Sequence, residues 1–427
     1  QPATIGQQDS MNSRKTHRLC LASPVFFPTY GGSQLRFKRY LPGLRARDLD
    51  IRVFTGTPHS KEMSAEESAL WGDYPVGEFM PPGDIDGIPV HRVRLPDTKG
   101  KKRTRTYNRK LLELCDNPDY RPDVLQMVGP LKPLSIPLLR KLRARGIPTL
   151  YAVTVAPPKP AKRKWYSLAQ RREIELFNLL DCIVTNNQPL KEFVRAMGIR
   201  TRVEIIPNGV DLARFRPAEN PEERQSLRDA LGLSPEDTVI TSIGGIMPRK
   251  GSDLLIEAWA NLAQDYPAAH LVLVGPRKDL EQPGLRLFRR KLENLVQGSG
   301  APRRVHFTGL SDKAGAYLRA SDIFVLPSER EGMPNAVLEA MASRVPTILT
   351  PFKGLSADLG TAGEQYLLCE RTAPALASTL RQLLDDAQLR ARIARQGYDW
   401  VRQTMSLDKS LDRYAALYHE LAAQGGG

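Results

Sequence analysis

Short apolar runs, each followed by a turn and then by a longer stretch of helical spacing, recur along most of the 427-residue chain. Residues 19–25, 51–54, 90–95, 124–128, 149–155, 181–186 and 203–206 read as strands, with residues 34–44 and 133–145 as helices between them. Strands that are apolar throughout and alternate with helices predict a parallel sheet covered on both faces. The pattern breaks at Phe215-Arg216-Pro217, passes through a Glu- and Arg-rich helix at residues 221–231, and restarts at residue 238. Residues 238–243, 271–274, 305–307, 323–326 and 346–350 then predict a second sheet, and Ser252-Asp253 can cap a helix running through Leu254, Leu255, Ala258 and Trp259. The expected class is α/β, with two doubly wound domains. Residues 1–16 are expected to be a disordered tail, 17–216 the first domain and 217–395 the second. Residues 396–427 hold a terminal helix whose Leu411, Tyr414, Leu417, Tyr418 and Leu421 form one apolar stripe that needs a surface to pack on.

The length agrees with two cores rather than one. With 41% hydrophobic and 26% charged residues the composition is that of a soluble globular protein, and no apolar run approaches the roughly 20 residues a membrane span requires. Residues 1–18 are polar, so no signal or transit segment is read there and the cytoplasm is the expected location. Cys20, Cys115, Cys182 and Cys369 lie far apart without a C-x-x-C pair, which argues for reduced thiols and against a disulfide scaffold or a zinc site. The six histidines are also scattered, so no metal ligands are assigned.

The formal charge of +15 changes the picture by pointing to anionic partners. Much of it is local: residues 99–110 hold seven cations beside Tyr107, and residues 159–172 hold Lys162-Arg163-Lys164-Trp165-Tyr166 and Arg171-Arg172. Each stretch suits either a solvated loop and helix start or contact with an acidic membrane surface or anionic acceptor. A nucleic-acid partner is not expected, because the basic runs fall in loops and no nucleic-acid module is recognisable.

The most informative chemistry is in residues 328–342. The apolar run Ile323-Phe324-Val325-Leu326 reads as a buried strand and residues 337–343 as a helix, with Glu331, Gly332, Met333 and Pro334 in the turn between. At the end of a parallel strand such a turn presents free backbone amides and the positive end of the next helix, which suits a phosphate or a set of hydroxyls. Glu331 and Glu339 frame it, and a carboxylate accepts hydrogen bonds from paired hydroxyls. Either glutamate alone also fits an ordinary solvated residue, although the apolar neighbours of Glu339 mean that its carboxylate wants a partner. Gly31-Gly32, after the first strand, is a weaker signal of the same kind.

Taken in order, these segments resemble the family 4 glycosyltransferases, enzymes with the two Rossmann-like domains of the GT-B fold. The resemblance rests on the E-x7-E segment from Glu331 to Glu339, on Ile206-Pro207-Asn208-Gly209-Val210-Asp211 followed by Phe215-Arg216-Pro217, and on Lys250-Gly251, Leu271 to Gly275, Phe307-Thr308-Gly309 and Gly31-Gly32. It implies transfer of a sugar from a nucleotide diphosphate sugar, in a cleft between the domains, with retention of configuration and with no cofactor or obligatory metal. The acceptor would be a hydroxyl, with lipid-linked and anionic glycans as candidates and the inner face of the membrane as a second location. The terminal helix would cross back to the first domain. Glu331 and Lys250 are the implied catalytic groups: Lys250 as the cation facing the diphosphate, Glu331 binding the transferred sugar with the amides of Gly332 and Met333. Pro334, Asn335, Ala336 and Val337 would bring the helix end to the phosphates, together with Gly31 and Gly32. Glu339 would bind the ribose, with Thr308 and Gly309 near the base.

Two departures stand out. The family commonly has an arginine five residues before the lysine, where this chain has Gly245, so Arg249 and Arg277 become the candidate substitutes. It also commonly has a histidine near the position of Ala156, and this chain has none between His91 and His270. A catalytically weak or inactive protein that binds a nucleotide sugar or a partner is therefore the alternative.

Overall fold

The structure is a computed structural model that describes residues 16–26, 32–57, 86–96, 100–129, 135–154, 168–230, 232–277 and 283–425. Thirteen strands are found among the described residues: β1 His17–Ser23, β2 Leu49–Gly56, β3 Val90–Val93, β4 Val124–Met127, β5 Thr149–Val153, β6 Cys182–Thr185, β7 Arg202–Ile205, β8 Thr238–Ile243, β9 Ala269–Val274, β10 Val305–Gly309, β11 Ile323–Leu326, β12 Thr347–Leu349 and β13 Leu367–Leu368. They form two sheets, ordered β3-β2-β1-β4-β5-β6-β7 and β10-β9-β8-β11-β12-β13. Strands β1 and β2, β1 and β4, and β8 and β11 pair in parallel, with Leu19 opposite Ile51 and Val124, and Ile323 opposite Ile240. The protein is thus α/β, with two doubly wound parallel sheets and helices around them. By internal contacts one compact unit gathers the described residues up to Leu150 with those from Tyr414 onward, and the other runs from Tyr151 to Arg413.

Why the strands read as continuous apolar runs is visible in β11. Ile323 and Val325 enter one core with Leu255, Trp259 and Leu271, while Phe324 and Leu326 enter another with Val337, Leu338 and Met341. Both faces of the strand are buried, so neither alternate position can be polar. In the first unit the end of the last helix is held by aromatic packing: Tyr414 meets Phe37 and Tyr40 with ring centroids 5.7 and 5.8 Å apart.

Three expectations need correction. The terminal stretch is two helices, Ala387–Thr404 and Leu407–Gly425, rather than one. The chain leaves helical geometry between them because Met405 O accepts from Val210 N–H at 2.8 Å and Leu407 N–H donates to Val210 O at 2.9 Å. The basic run at residues 99–110 is not a loop from Lys101 onward but opens the helix Lys101–Asp116, which buries Tyr107, Leu111, Leu114 and Cys115 on one side. Ser252 does not cap its helix; the cap position is Gly251, without a side-chain hydrogen bond. The cysteines are free, and burial pushes the Cys115 thiol up to about 12, which makes it an inert core group.

Candidate active site

In the second sheet the chain passes from β8 outward to β9 on one side, while β11 lies on the other. The loops leaving β8 and β11 therefore start side by side at the switch point, where ligands of doubly wound sheets bind. Gly251 brings them together. At φ +71° it is in the left-handed region, and a Cβ there would lie 2.3 Å from Pro327 O, so only glycine allows the β8 loop to rest on the end of β11. Glu329 N–H then donates to Arg249 O at 2.8 Å, which stitches the loops to each other.

That contact places Lys250 against Glu331: Nζ donates to Oε1 at 2.5 Å. The Arg249 guanidinium lies 3.5 Å from the same oxygen and donates to Arg330 O at 3.2 Å. Glu331 is 7% exposed, so this is a buried carboxylate matched by two cations. Its other oxygen, Oε2, has no partner among the described residues and is left to accept from a ligand. The Glu331 N–H donates to Lys353 O at 3.2 Å, whereas the amides of Gly332 and Met333 have no partner among the described residues.

The following helix is Asn335–Ala342, two residues earlier than its apolar pattern suggests. Its cap position is Pro334, with no side-chain hydrogen bond, so its first amides and the positive end of its dipole stay available. Asn335 is oriented by Asn208, whose Nδ2 donates to Asn335 Oδ1 at 2.7 Å and to Met333 O at 2.9 Å. Val337 is fully buried and its N–H donates to Pro334 O at 3.1 Å, so neither its side chain nor its amide is open to a ligand, and Ala336 can offer only its backbone N–H. Glu339 is 5% exposed among Leu338 and Ala340, a buried carboxylate rather than a surface one.

The remaining residues fall elsewhere. Thr308 and Gly309 end β10, half-buried, where Gly309 O accepts from Gly275 N–H at 3.0 Å. Arg277 stacks on Phe307, 4.1 Å from the ring centroid; burial first and then Arg289 hold its guanidinium below the usual range. Of the two candidate substitutes for the missing arginine, it is Arg249 that reaches Glu331. Gly32 opens the helix Gly32–Arg45 in the other compact unit, while Gly31, Ala156 and the Trp165-Tyr166 segment lie outside the described residues. Among the described residues no group of three His, Cys, Asp or Glu could hold a metal.

Gly245 has ordinary φ, and a Cβ there would meet only the flexible end of Met247 at 3.3 Å. Gly245→Arg is therefore expected to fold as the parent does and to bind nucleotide diphosphate several-fold more tightly, by one charge-assisted contact. Calorimetric titration with UDP and GDP checks this.

Sequence reasoning assigned no site role to Asn186, Asn187 or Asn208. Asn187 could have been found as a helix cap, because Gln188-Pro189 follows it, but nothing local announces its contact with Gly332. Asn186 is 2% exposed, and its Oδ1 is buried without a partner among the described residues.

Residues 31–209 match the glycosyl transferase 4-like domain and residues 223–400 the group 1 glycosyl transferases, between them most of the chain. The chain belongs to the family 4 glycosyltransferases. It is 27% identical over 244 residues to the lipopolysaccharide core biosynthesis glycosyltransferase LpsE of Rhizobium meliloti, covering 57% of this chain and 66% of that one. The chain spans about half to two thirds of the length of the curated relatives it matches. The fold is shared with sucrose-phosphate synthase of Thermosynechococcus elongatus, with a TM-score of 0.75 at 20% identity, covering 95% of this chain and 99% of that one. It is also shared with Anabaena HepE, solved in complex with UDP-glucose, with a TM-score of 0.71 at 18% identity, covering 95% and 100%.

Proposed function

We propose that the protein transfers a sugar from a nucleotide diphosphate sugar to a hydroxyl acceptor, with retention of configuration and without a metal. The observation that carries this reading is the Lys250–Glu331 pair at the switch point, 2.5 Å apart, beside free amides and an uncapped helix end. A leaving nucleotide diphosphate gathers negative charge, and prearranged cations and amide dipoles can stabilise it in place of a metal. Lys250 and Arg249 supply the cations; Gly332, Met333 and the Asn335 end supply the amides. Glu331 Oε2 accepts from the sugar hydroxyls, Glu339 from the ribose, and Thr308 and Gly309 border the base. The leaving phosphate takes the acceptor proton, so no separate protein base is needed. HepE was solved with UDP-glucose, which supports a nucleoside diphosphate donor, and the name of LpsE supports a glycan acceptor.

A second reading, a weak or inactive member that binds the donor, is motivated by Gly245 and by the lack of a histidine between His91 and His270. Incubation with a panel of UDP- and GDP-sugars, with release of nucleoside diphosphate measured, separates them: turnover supports transfer, and tight binding without turnover under any acceptor supports the second. An acidic membrane as docking surface is supported by Lys101, Lys102 and Arg105, which are exposed on one helix with no ion-pair partner among the described residues. No described helix is long and apolar enough to cross a membrane. Flotation with liposomes tests the docking, and equal recovery with and without acidic lipid would reject it.

A further inference from the structure

Asn187 is 1% exposed and stands two residues after the end of β6, next to Asn186. Its side-chain oxygen accepts from Leu190 N–H at 2.9 Å and so caps the helix Gln188–Ala196. Its nitrogen donates to Gly332 O at 3.1 Å and to Gly354 O at 3.4 Å. The partners fix which end is which, because a backbone N–H lies on one side and two carbonyls on the other. A cap needs only the acceptor, and serine, threonine or aspartate would provide it. The two outward donations are more than a cap requires, and both of them fall around Glu331. Gly332 follows Glu331 directly, and Gly354 follows Lys353, whose carbonyl accepts the Glu331 N–H. The approach is close: a Cβ on Gly332 would lie 1.9 Å from Thr154 O, at the end of β5.

We infer that Asn187 is a positioning residue for the transfer reaction: its amide group fixes the turn that aims Glu331, independently of its role as a helix cap. The kinetic consequence rests on the transfer reading above; the hold on the turn does not.

Asn187→Ser keeps a capping oxygen and removes both donations, and Asn187→Asp keeps the cap while turning an acceptor toward the two carbonyls. In ligand-free protein, amide hydrogen exchange across residues 329–335 is expected to quicken roughly 10-fold in Asn187→Ser, as the loss of two neutral hydrogen bonds implies, with the helix Gln188–Ala196 unchanged. With whichever of UDP-glucose, UDP-N-acetylglucosamine and GDP-mannose the parent turns over, kcat is expected to fall roughly 10- to 100-fold while affinity for the free nucleoside diphosphate stays within about twofold. In an Glu331→Gln background the same substitution is expected to add little, because both act through one group. Unchanged exchange at residues 329–335 would overturn the proposal, and so would a kinetic loss of full size in the Glu331→Gln background. If the parent uses none of the three donors, the transfer reading fails and the exchange result alone decides whether Asn187 holds the turn.

Discussion

Glu331→Ala is expected to lower sugar transfer by roughly 100-fold or more while the protein folds as before. The carboxylate is paired through Oε1 with Lys250 and Arg249, the cations proposed to face the diphosphate, and its Oε2 has no partner among the described residues. Its loss removes the acceptor for the sugar without touching the apolar faces of β11, where Ile323, Phe324, Val325 and Leu326 hold the two cores together. Free nucleoside diphosphate should still bind within a few-fold of the parent, because Lys250 remains. Nucleoside diphosphate release and a thermal melt check the two halves of the statement. Full transfer activity in the variant would remove Glu331 from the mechanism.

Lys250→Ala is expected to cost roughly 100- to 1,000-fold in kcat/KM, the scale of removing one preorganised charge from a developing anion. Unlike Glu331→Ala, it should also weaken binding of the free nucleoside diphosphate, since the lysine is assigned to the diphosphate and not to the sugar. Arg249, 3.5 Å from Glu331, remains as a partial substitute and sets the residual activity. Lys250→Arg should recover part of the loss, limited by the fit of a planar guanidinium where a point charge stood. Titration calorimetry with UDP or GDP separates this variant from Glu331→Ala: unchanged affinity would place Lys250 away from the diphosphate.

Much of this was legible in the sequence because buried parallel strands leave a strong mark. Runs such as Leu271-Val272-Leu273-Val274 and Ile323 to Leu326 are apolar at every position, and each proved to be a strand between two covered faces. The turn carrying Glu331 was legible for the same reason, since it lies between one such run and the helix that follows. The boundaries were less so. Asn335 and Ala336 are helical although polar or small, because the helix starts where the turn ends rather than where the apolar stripe begins. The break at Met405 could not be read from the pattern: it is caused by pairing with Val210, nearly two hundred residues away, while the apolar spacing runs on past it.

Long-range polar contacts were the least legible part. Asn187 and Gly332 are separated by 145 residues, and neither type announces the other. Asn208 was noticed as part of a linker segment, yet what it does is hold Met333 and Asn335 at the helix end. The choice between Arg249 and Arg277 was also closed to sequence reasoning. Both are cations after strands of the second sheet, and only the packing of the β8 loop through Gly251 brings one of them to Glu331 while the other lies on Phe307.

The most direct measurement is release of nucleoside diphosphate from a panel of UDP- and GDP-sugars by the parent protein, by Glu331→Ala and by Lys250→Ala under the same conditions. A donor site built on the Lys250–Glu331 pair requires that the parent turn over at least one donor and that both variants lose roughly 100-fold or more of that turnover. Turnover by the parent that survives undiminished in either variant would contradict it.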